Sequence, residues 1–414
     1  MTPEIKMRID QIRRGEVPEG YKKGKLGIVP CEWDEVRFST LFTSTNDYTD
    51  DLTTYPLYSL TIEDGITPKT ERYERSHLVK KENSYKIARP NDFAYNPMNI
   101  RFGAVARHEE NKPVAVSGYY DIFTTVYQSD LAFMDSFLTC EPMITYYNKV
   151  STGSLVEKQR VHFSDFMEFC LPLPTLNERA KIAAILTTQD KIIELKGKIL
   201  SEKKRQKKYL TQQLLTGKKR LLDFEGEWTR HRLSDILSEG SKTGVSDTSQ
   251  FRKITVKLKF KGLEFTNASR EMADTRPFYV RQENEIVIGK QNYFNGSIAL
   301  ITREYAGCIC SNAIMSFSVH DANLHFVFAY ISQPDYLKKY EMLANGTGQK
   351  ELSERNFLNF EIMLPNDNEQ AAIAQVLTTA DHEIQLLQED IDLEKRKKKI
   401  LMQLLLTGIV RVNV

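Results

Sequence analysis

The sequence predicts an α+β fold in which two globular domains, the halves of a tandem duplication, are joined by two long helices packed as an antiparallel coiled coil with approximate two-fold symmetry. Three observations predict it: a helical segment that occurs twice, a fainter repeat upstream of each copy, and a seven-residue apolar lattice along both helices. The first is the strongest. Leu173 to Arg220 and Leu364 to Arg411 match without gaps at about half their positions, including Asn177/Asn368, Glu178/Glu369, the Leu-Thr-Thr runs and the terminal Leu-Leu-Thr-Gly.

In chain order the expected parts are an N-terminal segment (1–30), a first globular domain (31–171), a central helical spacer (172–217), a second globular domain (218–363) and a C-terminal helical spacer (364–414). Within the first part, Met7 to Gly15 resembles the end of a helical repeat. The two globules correspond along their length: Glu32-Trp33 with Glu227-Trp228, Asp92 to Tyr95 with Glu285 to Ile288, Gly103 to Ala106 with Gly296 to Ala299, and Val114 to Ser117 with Cys308 to Ser311. Arg252 to Phe260 alternates, with Ile254, Val256, Leu258 and Phe260 on one face and lysines and Thr255 on the other, which predicts a strand with one solvated face. Leu324 to Ile331 reads as a helix, so each globule is expected to be α+β.

Each helical repeat opens with a Leu-Pro step and a capping-box pattern, Thr175 with Glu178 and Asn366 with Glu369. The Thr-Thr pairs, with Asp190 and Asp381 just beyond, suggest that a short helix ends there and a longer one begins, running to Gly217 or Gly408. Such a helix of roughly 27 residues is about 40 Å long, slightly more than one duplex turn of about 34 to 36 Å. Ile384, Leu387, Ile391, Leu401 and Leu405 share a narrow stripe with equivalents Ile193, Leu200, Leu210 and Leu214. That stripe suits one helix lying along another. Charges interrupt it at Lys203, Lys207, Glu394 and Lys398, which leaves open that each helix packs on its own domain.

A chain of 414 residues, 41% hydrophobic and 27% charged, has room for two or three ordinary cores. It has no run of eighteen apolar residues and no apolar leader after Met1, so a soluble, cytoplasmic protein without membrane contact is expected. Five cysteines without a Cys-x-x-Cys pair suggest free thiols, with Cys308 and Cys310 on one sheet face. The formal charge of +2 hides two basic runs, Lys203 to Lys208 and Lys395 to Lys399; on the long helices these read as solvated or partner-facing surface. Catalytic signatures are missing. Gly289-Lys290 lacks the rest of a phosphate loop, Asn96-Pro97-Met98 is a poor match to an amino-methyltransferase motif, the seven histidines form no metal pattern, and Asp50-Asp51 sits in turn-like sequence. The chain is expected to bind rather than to catalyse.

The Leu-Pro step, capping box, Ile-Ala-x-x-Leu-Thr-Thr-x-Asp series, long helix and Leu-Leu-Thr-Gly end, present twice with a globule before each, resemble the specificity subunits of type I restriction-modification systems. Supporting stretches are Ile62-Glu63-Asp64-Gly65 with Pro68-Lys69, Arg89 to Asn96, and Gly346 to Ser353. The resemblance covers nearly the whole chain. It implies two target-recognition domains reading the two parts of a split, asymmetric site on double-stranded DNA. It also implies that the helices dock two methyltransferase (modification) subunits, joined by restriction/translocase subunits. By this resemblance the chain itself binds no cofactor: S-adenosylmethionine, ATP and Mg belong to the partners.

Halves that read different sequences on a shared scaffold should differ where they touch bases. The sharpest difference lies between matching strands, where Asn96 to Phe102 stands opposite Gly289 to Asn295. Candidate DNA contacts are therefore Asn96, Met98, Asn99 and Arg101 in one half and Lys290, Gln291, Asn292, Tyr293 and Asn295 in the other. Asn and Gln pair bidentately with adenine edges and Arg and Lys with guanine, while Tyr stacks or touches a thymine methyl. Lys69, and Gln349 and Lys350 after Gly346-Thr347-Gly348, complete the set. The competing class is a two-headed coiled-coil adaptor that binds proteins, which sequence-dependent duplex binding would separate from a DNA reader. A self-sufficient methyltransferase would itself bind S-adenosylmethionine.

Overall fold

Each half builds the same four sheets, and the first adds a hairpin of Tyr21–Gly24 with Gly27–Pro30. The computed structural model describes residues 3–45, 47–69, 84–155, 159–266, 276–341 and 351–412. The chain forms two compact units, Met1–Gly197 with Asp390–Val414, and Lys198–Glu389.

In the first unit a four-stranded sheet runs in the order Val105–Arg107, Phe93–Tyr95, Asp121–Thr125, Phe42–Ser44, and a three-stranded sheet in the order Val114–Ser117, Tyr85–Ala88, Tyr48–Thr49. In the second unit the counterparts are Ile298–Leu300, Ile286–Gly289, Ile314–Val319, Leu237–Glu239, and Ile309–Ser311, Phe278–Val280, Gly244–Val245. Registers agree as well: Phe93 opposes Arg107 as Ile286 opposes Leu300. A strand before each long helix, Cys170–Leu173 or Glu361–Leu364, pairs back onto the strand that follows the matched tryptophan, Asp34–Arg37 or Thr229–Arg232. The expected helix at Leu324–Ile331 forms with those bounds, capped by Asn323, whose side chain accepts from the Phe326 amide. All five cysteines are free, and Cys308 and Cys310 are buried together in a small core with Ile254, Val287 and Ile301.

The strand predicted over Arg252 to Phe260 is shorter than its pattern. Only Ile254–Val256 is extended, paired with Leu263–Phe265, and the chain turns through 257–262 with Lys259 and Phe260 at positive φ. Leu258 and Phe260 consequently lie exposed at the tip instead of in the core.

Two helices dominate, Leu176–Leu214 and Asp367–Leu406, of 39 and 40 residues. Each is about 60 Å long at ~1.5 Å per residue. The expected break at the Thr-Thr pairs is absent because Thr188 and Thr378 donate to the carbonyls of Ala184 and Ala374, four residues back, and leave the ladder intact. The match between a 27-residue helix and one duplex turn therefore does not stand. Both helices end as read, with Gly217 and Gly408 in the left-handed region. A Cβ on Gly408 would lie 2.5 Å from Pro30 and 2.8 Å from Trp33, so glycine is required there by space as well as by φ.

The start of one helix and the end of the other enter the same core. In the first unit Ile182, Ala183 and Leu186 pack with Leu405 and Leu406; in the second Ile373, Ala374 and Leu377 pack with Leu214 and Leu215. Each such leucine is almost fully buried, worth about 1.5–3 kcal/mol. All four charges that interrupt the apolar lattice bond across to the other helix. Within the first unit Glu394 meets Lys196 at 2.9 Å and Gln189 at 2.6 Å, and Lys398 meets Asp190 at 2.5 Å. Within the second, Lys203 meets Glu383 at 2.8 Å and Lys207 meets Asp381. In both units rising numbers on one helix meet falling numbers on the other, so the pairing is antiparallel.

Glu394 is held at a pKa of about 2, below the ordinary 4.5, by the hydrogen bond from Gln189 and then by Lys196. Because the folded state binds the proton more weakly than the unfolded chain, the helix pair is stabilised above pH ~4.5 and loses that contribution as pH falls toward about 2. Urea midpoints measured across this window should fall, and the fall should be smaller in Glu394→Gln. An identical pH profile in the variant would show that other carboxylates control acid unfolding.

The capping boxes form only in part. Thr175 and Asn366 accept from the amides of Glu178 and Glu369, but the glutamate side chains point elsewhere. Glu178, with no exposed surface, accepts from Trp33 Nε1 at 3.2 Å and from Arg411 at 2.6 and 3.0 Å. Glu369, equally buried, takes a two-pronged bond from Arg220. The last residue of each helical repeat thus clasps the first turn of the other. The N-terminal helix Pro3–Arg13 joins the first unit at this clasp, where Arg8 and Tyr21 donate to the carbonyls of Ile409 and Gly408.

Candidate nucleic-acid interface

The two candidate turns occupy equivalent places. Each leaves a central strand of the four-stranded sheet, Phe93–Tyr95 or Ile286–Gly289, makes one 3-10 turn, Ile100–Phe102 or Tyr293–Asn295, and returns through a left-handed glycine, Gly103 (φ 91°) or Gly296 (φ 76°). In the first unit the turn is backed by Gln159 to Val161, in the second by Leu352 to Glu354: the Val161 amide donates to Pro97 and the Leu352 amide to Lys290.

Several of the sequence-derived candidates face inward. Asn96 is buried and its Oδ1 accepts from the amides of Met98 and Asn99, an Asx turn that shapes the loop. Arg101 is only 8% exposed, donates to Gln159 Oε1 at 2.5 Å and lies 5.0 Å from the Phe102 ring centroid. Tyr293 is fully buried and donates to the Ile331 carbonyl at 2.8 Å, and burial pushes its phenol far above the ordinary range. These three hold the turns in shape. Lys290 is half-buried and paired with Glu354 at 3.4 Å, and Asn292 accepts from Asn295 at 3.3 Å.

Asn99, Gln291 and Asn295 are exposed, with Met98 half-buried beside them. Lys69 is exposed just past the Tyr58–Thr61/Gly65–Pro68 hairpin. Gln349 and Lys350 lie outside the described residues. The sequence reading passed over Phe102, half exposed at the end of its turn, and Gln159, which fixes Arg101. It also passed over Lys259 and Lys261, on the tip that abuts the second turn, because the alternation hid the turn that begins at Lys257. Gly262 was the available signal. Among the described residues no group of histidine, cysteine or acidic side chains could hold a metal ion, and no helix is long and apolar enough to cross a membrane. Asp51, one of the acidic pair in the sequence, caps the amides of Thr53 and Thr54 in a surface turn.

Comparison with known proteins places this arrangement. Residues 225–395 match the family model described as type I restriction modification DNA specificity domain. A Methanocaldococcus jannaschii protein named as the MjaX type I restriction enzyme specificity subunit is 25% identical over 443 aligned residues, 99% of this chain and 93% of its own. Over nearly its whole length the chain is similar to the type I restriction-modification specificity subunits. Its two sheet-rich units and two long helices agree with that likeness. The MjaVIII type I restriction enzyme specificity subunit of the same organism is 27% identical over 278 residues, 60% of this chain and 64% of its own. Among solved structures, the specificity subunit of M. genitalium aligns with a TM-score of 0.55 at 12% identity, covering 92% of this chain and 97% of that one. A chain from a structure describing assembly and conformational transition of the type I system aligns at 0.51 and 15% identity, covering 92% and 99%. At these identities the structural matches speak for the fold.

Proposed function

We propose that this chain is a type I restriction-modification specificity subunit that recognises a bipartite, asymmetric duplex sequence, each unit contacting one part of it. The observation that carries the reading is the strand-for-strand duplication of the scaffold combined with turns that present different side chains: Asn99, Met98 and Phe102 in one unit, Gln291 and Asn295 in the other. Exposed amides of this kind match adenine edges, and a half-exposed ring suits a thymine methyl or a base face. Asn96, Arg101 and Tyr293 position these contacts, and Lys69, Lys290 and Asn292 flank them; Gln349 and Lys350 remain candidates by sequence. The chain is the address component and works in the cytoplasm.

Two methyltransferase subunits dock on the long helices, which expose apolar side chains that their antiparallel partner does not cover: Ile185, Leu195, Leu393 and Ile400 in the first unit, Ile199, Tyr209 and Leu386 in the second. Apolar surface left on a helix already paired along its other side favours a further helical partner. S-adenosylmethionine, ATP and Mg act on the modification and restriction/translocase subunits. The test is to express the chain with its cognate modification subunit and map the methylated positions by sequencing. A two-part motif separated by unspecified bases is expected. A single uninterrupted motif would overturn the two-part reading, and no motif would overturn it in favour of a protein-binding adaptor.

A further inference from the structure

We propose that the 257–262 hairpin tip of the second unit is a phosphate-binding clamp for duplex DNA that the tip of its counterpart hairpin in the first unit does not match. The inference rests on the reading above, that the second unit contacts a duplex, and adds which segment anchors it.

Lys259 (φ 59°) and Phe260 (φ 57°) are consecutive non-glycine residues in the left-handed region, a strained conformation that persists only where its surroundings enforce it. Here the neighbouring candidate turn enforces it: the Lys259 amide donates to the Asn295 carbonyl at 2.8 Å and the Phe260 amide to the Gly296 carbonyl at 2.9 Å. Phe260 also lies against Gly296, where a Cβ would approach its ring and amide to 3.0 Å. The tip is thereby held in fixed register with the turn that exposes Gln291 and Asn295.

Two of its charges are uncompensated among the described residues. Lys257 pairs with Glu264 at 2.8 Å and Lys290 with Glu354, while Lys259 and Lys261 are exposed and have no partner among the described residues. The equivalent hairpin of the first unit, between Tyr58–Thr61 and Gly65–Pro68, carries Ile62, Glu63 and Asp64 at its tip and would repel phosphate. Two free ammonium groups locked beside a base-reading turn are placed for the backbone phosphates that flank the bases it reads.

The test uses the chain in complex with its modification subunit, a duplex carrying the mapped site, and a scrambled duplex. Each neutralised phosphate contributes about 0.9 to the slope of log affinity against log salt, so Lys259→Gln/Lys261→Gln should lower that slope by about 1.8 on both duplexes. Between 50 and 200 mM salt, wild type should therefore lose about tenfold more affinity than the variant. Lys259→Arg/Lys261→Arg should restore the wild-type slope, and the methylated sequence should be the same in all three. An unchanged slope in a variant that unfolds at the wild-type urea midpoint would overturn the clamp while leaving the recognition reading intact. Loss of the modification subunit from the purified complex, with the slope unchanged, would also overturn it by assigning the tip to a protein contact. If the wild-type complex does not prefer the mapped duplex over the scrambled one, the underlying DNA reading fails instead.

Discussion

Replacing Arg220 with alanine is expected to destabilise the second unit by about 3–5 kcal/mol, the usual cost of stranding one member of a buried ion pair. Glu369 has no exposed surface and sits in the first turn of its helix, so loss of the two-pronged guanidinium strands its carboxylate without another cation among the described residues. The first-unit counterpart is better buffered, since Glu178 keeps its bond from Trp33 when Arg411 is removed. Arg411→Ala should therefore cost less than Arg220→Ala. The two tryptophans, one beside each clasp, separate the effects: urea unfolding followed by Trp228 fluorescence in a Trp33→Phe background reads the second unit, and the converse reads the first. Arg220→Leu/Glu369→Gln should recover part of the loss because no buried charge remains. A cost below about 1 kcal/mol for Arg220→Ala would mean that the clasp behaves as a surface pair.

Phe166→Ala is expected to cost the first unit about 3–5 kcal/mol, transfer and cavity terms together. Its ring is fully buried and packs against Phe38, Tyr95, Phe123, Phe163 and Phe169 at centroid distances of 5.1, 4.9, 5.5, 5.7 and 5.7 Å. Rigid rings on every side cannot collapse into the space. Tyr95 ends the strand that leads into the Asn96 turn, so the damage should spread to recognition by that unit while the second unit, whose equivalent is Phe357, keeps its own. The check is the urea midpoint by Trp33 fluorescence together with the methylation map. A small loss of stability with both parts of the site intact would contradict the packing argument.

Duplication is legible in sequence wherever packing constrains residues tightly. Trp33 and Trp228, the helix starts and Gly217/Gly408 kept their identities because each fills a particular place: a ring packed over a left-handed glycine, or an amide cap. The antiparallel pairing was visible in the seven-residue stripe, yet Lys203, Lys207, Glu394 and Lys398 read as interruptions because ion pairing across helices depends on which residues face them. The Thr-Thr pairs looked like helix boundaries since their hydroxyls serve equally as caps or as donors to the preceding turn, and only the surrounding packing selects between these.

Burial decided the candidate site. Asn96, Arg101 and Tyr293 have the chemistry of base readers, but a partner distant in sequence, Gln159 for Arg101 or the Ile331 carbonyl for Tyr293, draws each inward. Position on a turn identified the segment without giving side-chain direction. The lysine tip was missed for the opposite reason. Alternating residues signal a strand only while the backbone stays extended, and at Lys259 and Phe260 it leaves that region.

On the proposed reading, each unit independently reads one part of a divided site. The most direct test of that reading is to map methylation by the complex carrying Gln291→Ala/Asn295→Ala, alongside one carrying Asn99→Ala. The first variant should relax one part of the motif, the second the other, with the number of unread bases between the parts unchanged in both. Relaxation of the same part by both variants, or of both parts by either, would contradict it.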